Sequence, residues 1–105
     1  MKEVDNKDDL TSVLRATGRV FVLFYASWCP FCGEFLPIFG KYAQKNRRDE
    51  FLRARIDDEN NPLWEEYDVK VVPTVILFRG EKVQRRLDGV LGVGLDEDRF
   101  KDLLG

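Results

Sequence analysis

Residues 1–105 predict a single α/β domain, a central mixed β-sheet with helices on both faces. Two features carry that prediction. Residues 20–26 and 74–78 are continuous apolar runs rich in β-branched and aromatic side chains, without polar alternation, as in strands covered on both sides. Between and around them lie segments with apolar residues at helical spacing.

In chain order, residues 5–17 read as a helix capped by Asn6 or Asp5, with Leu10, Val13 and Leu14 on one face and Gly18 ending it. The first apolar strand follows. Residues 30–46 form a helix with Phe35, Leu36, Ile38, Phe39, Tyr42 and Ala43 inward, and Pro37 inside it predicts a kink. Residues 51–57 alternate as a strand, and residues 63–67 form a short helix opened by Asn60, Asn61 and Pro62. The second apolar strand turns at residues 79–82 into a returning strand, residues 83–87. Residues 96–104 close the chain as an amphipathic helix with Phe100, Leu103 and Leu104 inward. The order α-β-α-β-α-β-β-α implies a sheet that is antiparallel only at the hairpin edge.

Composition excludes several classes of function. With 17 Lys+Arg against 19 Asp+Glu the net charge is −2, which leaves no footprint for nucleic acid or an anionic membrane. No apolar run reaches the roughly 20 residues that span a bilayer. The N-terminal residues are charged and lack the apolar core of a secretory leader, so the expected compartment is the cytoplasm. There are 0 histidines, which removes His-based nucleophile activation, imidazole bases and His-ligated metals. The 2 cysteines, Cys29 and Cys32, cannot complete a four-ligand zinc shell, so no metal is expected. A disulfide between them closes too short a loop to stabilise much. The pair calls for a chemical explanation.

Trp28-Cys29-Pro30-Phe31-Cys32 falls where the first apolar strand passes into a helix, the place where α/β sheets collect ligands. At a helix N-terminus, unpaired N–H groups and the positive dipole end stabilise an anionic sulfur, the reactive form of cysteine. Pro30 suits the first helical position because its missing N–H is no loss there. Cys32 lies one turn on, within disulfide reach of Cys29. Inert buried thiols are the alternative, but a CxxC at a β-α junction is the context in which the motif carries redox chemistry.

In these residues and several others in register, the chain resembles the thioredoxin family from about Leu10 to Leu104. Phe24-Tyr25-Ala26-Ser27-Trp28-Cys29 looks like the family's strand leading into Trp-Cys. Pro37 matches its helix proline. Ala54-Arg55-Ile56-Asp57 with Asn61-Pro62 looks like its third strand and turn. Val72-Pro73-Thr74 resembles its cis-proline loop, and Gly80 and Gly89 also fit. The resemblance implies a thioredoxin-like fold, a cis Pro73 against the cysteines, and a Val72 backbone free to pair with a substrate strand. From the residues alone Pro73 would only open a strand. The resemblance further implies an apolar substrate rim of Trp28, Pro30, Phe31, Val72, Gly89 and Val90; Trp28 and Phe31 could otherwise be core. It assigns Cys29 as nucleophile and Cys32 as resolving thiol of a redox-active disulfide.

Two departures bear on the chemistry. Pro-Phe between the cysteines is more like glutaredoxin than thioredoxin's usual Gly-Pro. The Phe31 N–H adds a donor that could face the Cys29 sulfur, which predicts a couple more oxidising than the roughly −270 mV of thioredoxin itself. Leu23 stands where the family usually buries an Asp beneath the second cysteine, and Arg55 where it commonly has Lys. An Arg cannot act as a base, so Arg55 is either electrostatic support or a solvated edge, and water is the expected proton acceptor. Arg47-Arg48 and Arg85-Arg86 read as solvated faces, and Asp88 as a rim or turn residue. The expected activity is reduction of protein disulfides by a monomer, without a bound cofactor, recharged by a separate disulfide reductase. The alternatives are a disulfide oxidase or isomerase, a non-catalytic binding module and, more remotely, a metal-bridged dimer.

Overall fold

The structure, a computed structural model, describes residues 1–105. Its strands are β1 (Lys2–Val4), β2 (Arg19–Tyr25), β3 (Glu50–Arg55), β4 (Thr74–Arg79) and β5 (Lys82–Leu87). Its helices are α1 (Lys7–Ala16), α2 (Pro30–Lys45), α3 (Leu63–Glu66) and α4 (Glu97–Leu104). The sheet runs β1-β3-β2-β4-β5. The thioredoxin-like α/β fold expected from the sequence is therefore present.

Two expectations need correction. Residues 2–4 form a strand, β1, parallel to β3 with Val4 opposite Ala54. Antiparallel pairing is also not confined to the hairpin edge. β2 pairs parallel with β3 but antiparallel with β4, so the direction changes in the middle of the sheet, between its two most apolar strands.

Both faces of that centre are covered, which is why its strands lack alternation. All of Val20 to Tyr25 in β2 and Thr74 to Phe78 in β4 are buried. On one face Phe21 stacks on Phe51, and Phe39 meets both Phe51 and Phe100, so α2 and α4 pack there as an aromatic layer. On the other face Phe24 and Phe78 pack against Tyr67, just after α3. By strand alternation Leu23 points with Phe21 toward α2.

Helix ends follow the sequence closely. Asn6 caps α1, its side chain accepting the Asp9 N–H at 2.9 Å. Helix α2 runs uninterrupted through Pro37. Gly80 (φ +59) and Glu81 form the two-residue turn between β4 and β5. Of the pair Arg85-Arg86, Arg85 is exposed as expected, though it donates to the Leu103 carbonyl at the end of α4, whereas Arg86 is part-buried and every nitrogen of its guanidinium has a partner.

Candidate redox site

Cys29 is the N-cap of α2. Strand β2 ends at Tyr25, and a short turn in which the Cys29 N–H donates to the Ala26 carbonyl delivers the sulfur to the open end of the helix. There Cys29 Sγ accepts the Cys32 N–H at 3.3 Å. This is the hydrogen bond that Ser or Asp usually provides at a helix start, made here by sulfur. Pro30 follows at the first helical position. Cys29 Sγ also lies 3.6 Å from the Val72 carbonyl oxygen, to which its thiol donates. The Val72–Pro73 peptide bond is cis, as the resemblance implied.

The two sulfurs sit in different surroundings. Cys29 keeps an 8% exposed edge, whereas Cys32 is fully buried. Burial pushes the Cys32 thiol up to about 12, reinforced by its hydrogen bond with Cys29 and by the charges of Cys29 and Asp57. An outward sulfur at a helix terminus thus stands beside an inward thiol that holds its proton. The reduced protein is therefore expected to take up one equivalent of iodoacetamide near pH 7, at Cys29. Peptide mapping by mass spectrometry checks this, and equal labelling of both cysteines would contradict the asymmetry.

The Phe31 N–H does not serve as the additional donor expected: the sulfur's one backbone donor is Cys32 N–H. The Phe31 ring is half-buried and touches the segment after β5, where a Cβ on Gly94 would lie 3.0 Å from Phe31 Cβ. Residues 90–94 form a short loop closed by paired hydrogen bonds between Val90 and Gly94. The loop presents Val90, Leu91 (84% exposed) and Val93 to solvent. Leu91 and Val93 are exposed apolar residues beside Val90 that the sequence reading did not include.

Gly89 lies against Pro73, and its N–H donates to Thr74 Oγ1, which itself donates to the Val71 carbonyl. Trp28 is 56% exposed, outside the core, with its indole N–H on the Asp57 carbonyl at 3.0 Å. Leu23 is fully buried among apolar residues, so no acid lies beneath Cys32 from β2. Pro37 is exposed, further along α2 and away from the sulfurs. Arg55 reaches Asp57 at 3.7 Å from an exposed position.

Asp57 is the organising residue that sequence reasoning passed over. Its carboxylate accepts the Ser27 N–H at 2.7 Å and the Ser27 hydroxyl at 2.6 Å. These bonds, with Arg55 adding, hold it below its ordinary value. Ser27 and Asp57 each lie two residues beyond the register pair Tyr25–Arg55, so continuing the β2–β3 ladder by two positions brings them together. The signal was available once those two strands were taken as parallel neighbours.

A sequence model described as Thioredoxin matches residues 2–97. The chain belongs to the thioredoxin family. It is 33% identical over 104 residues to thioredoxin of Mycoplasmoides gallisepticum, covering 99% of each chain. It is 32% identical over 91 residues to a bifunctional thioredoxin reductase/thioredoxin of Mycobacterium leprae, covering 86% of this chain and 20% of that one. Thioredoxin of Plasmodium falciparum superposes with a TM-score of 0.85 at 20% identity, covering 99% of this chain and 96% of that one, a likeness of fold. Membership in the thioredoxin family makes the protein a thiol–disulfide oxidoreductase in class. No helix is long and apolar enough to cross a membrane, and no group of three or more Cys, Asp or Glu side chains is arranged to hold a metal ion.

Proposed function

We propose that the protein reduces disulfides in protein substrates by dithiol exchange through Cys29 and Cys32. The observation that carries this reading is the placement of Cys29: capping α2, accepting the Cys32 N–H, and facing the Val72 carbonyl beside Pro73. An extended substrate segment lies along Val72–Pro73 with its disulfide over Cys29, its flanking side chains on the apolar rim of Trp28, Pro30, Phe31, Gly89 and Val90.

The Cys29 thiolate attacks one substrate sulfur; a new S–S bond forms, and the other substrate sulfur leaves as thiolate and takes up a proton from water. Cys32 then attacks Cys29, forming the Cys29–Cys32 disulfide and expelling the second substrate thiolate. The Cys32 proton passes out through water to that leaving sulfur. Two electrons move from the dithiol to the substrate. Until the second step burial keeps Cys32 protonated, so it does not compete as a nucleophile.

The two electrons are restored by a separate disulfide reductase, as suits a relative whose name joins thioredoxin reductase to thioredoxin in one chain. A reducing compartment, the cytoplasm, fits that direction, and the domain acts as a monomer without a resident cofactor. The test is insulin reduction with dithiothreitol, together with the reduction potential against glutathione. Accelerated precipitation and a potential near thioredoxin's roughly −270 mV are expected. A potential well above about −200 mV would reassign the protein as an oxidase or isomerase, and no acceleration would make it a binding module.

A further inference from the structure

We infer that Arg86 is a positioning residue for the edge that receives protein substrates: its guanidinium ties residues 67–72 to residues 86–89 and so fixes where the Val72 backbone stands relative to Cys29. The inference rests on the proposed reduction of protein disulfides and adds a residue to it. Arg86 comes from β5, an edge strand whose residues Lys82 to Arg85 are all exposed. Its guanidinium is nonetheless committed throughout. Nη1 donates to the Tyr67 carbonyl at 2.8 Å and Nη2 to the Asp68 carbonyl at 3.1 Å. Nε and Nη2 both meet the Asp88 carboxylate, the closer contact at 2.7 Å.

Residues 67–73 join α3 to β4 and contain the backbone that faces the sulfur. They are held at two places. Near Val72, Thr74 and Gly89 stitch the Val71 carbonyl to the end of β5. At the other end Arg86 takes the Tyr67 and Asp68 carbonyls. Asp68 stands there in the left-handed region at φ +52, which Asp enters more readily than most side chains, with its carbonyl on Arg86. Both attachments come from residues 86–89, so the loop and the end of β5 move as one piece. Because the Val72 carbonyl lies 3.6 Å from Cys29 Sγ, loosening that piece alters the height of the Val72 edge over the sulfur.

A small disulfide needs only the sulfur, whereas a protein segment needs the edge as well. The test compares second-order rate constants of the reduced protein with insulin and with 5,5′-dithiobis(2-nitrobenzoate). Arg86→Ala is expected to lower the insulin/small-disulfide ratio about tenfold, the scale of a misplacement short of 1 Å. Arg86→Lys is expected to follow it, since an ammonium cannot span two carbonyls and a carboxylate as the planar fork does. Should Arg86→Ala not fold by circular dichroism, Arg86→Lys and Arg86→Gln carry the comparison. A ratio within about twofold of wild type in the folded variants, or equal losses with both disulfides, overturns the positioning role. If the wild-type protein reduces neither disulfide, the functional reading itself fails and the inference with it.

Discussion

Cys29→Ser will reduce insulin turnover to the uncatalysed background, while Cys32→Ser will accumulate a covalent adduct with the substrate. The attacking species is a thiolate, and a serine hydroxyl at the same helix cap has no base to ionise it in a chain with 0 histidines. Nothing downstream can compensate, because Cys32 is fully buried and its thiol is pushed up to about 12. Cys32→Ser leaves the cap intact, since the donor to the Cys29 sulfur is the backbone N–H of residue 32. The first exchange then proceeds and the second cannot, so the mixed disulfide persists. Intact-mass spectrometry after mixing with oxidised insulin should show the adduct with Cys32→Ser, none with Cys29→Ser, and its release by dithiothreitol. An adduct on Cys29→Ser, or turnover by it, would reverse the assigned roles.

The same local logic explains how much of the site could be read from the chain. A helix cap, a proline at the first helical position and a thiol one turn on are all neighbours in sequence, so the Cys29–Cys32 arrangement was legible. The Ser27–Asp57 contact was not, because it depends on which strands are neighbours, and an uninterrupted apolar run such as β2 carries no mark of the strand beside it. For the same reason the antiparallel pairing of β2 with β4 was missed: alternation, the one cue to pairing geometry, is erased when both faces are buried. Strand β1 has only Val4 buried, so its strand character comes from the β3 edge it completes and not from its own residues. Arg86 looked like a solvated charge because two of its partners are backbone carbonyls 18 and 19 residues upstream, which carry no side-chain signature. The exposure of Leu91 and Val93 was not legible because it belongs to a loop closed by the Val90–Gly94 bridge, which no periodicity signals.

Gly89→Ala is expected to lower the melting temperature by roughly 10–20 °C, taking a cost near 3 kcal/mol for a domain of this size. An added Cβ would stand 2.2 Å from the Pro73 carbonyl oxygen, 3.3 Å from its carbon and 3.4 Å from Val71 Cγ1. The nearest obstacles are backbone atoms of the loop that faces Cys29, and they cannot swing aside as a side-chain tip would. Either residues 71–73 shift or the Gly89 segment lifts away, and the second course breaks the Gly89 N–H bond to Thr74 Oγ1. Both separate the rim from the sulfur, so insulin reduction should fall along with stability. Gly92 supplies the control. It lies in the same loop region at φ +76 with nothing within 4 Å of an added Cβ, so Gly92→Ala meets only the backbone penalty of about 1–2 kcal/mol. The requirement at Gly89 is space and the requirement at Gly92 is conformation. Thermal unfolding of the two variants side by side separates them: the larger loss, with loss of activity, belongs to Gly89→Ala. If Gly89→Ala melts within about 3 °C of wild type, less than 1 kcal/mol for a chain this long, the close packing of Gly89 on Pro73 is not what holds this edge in place.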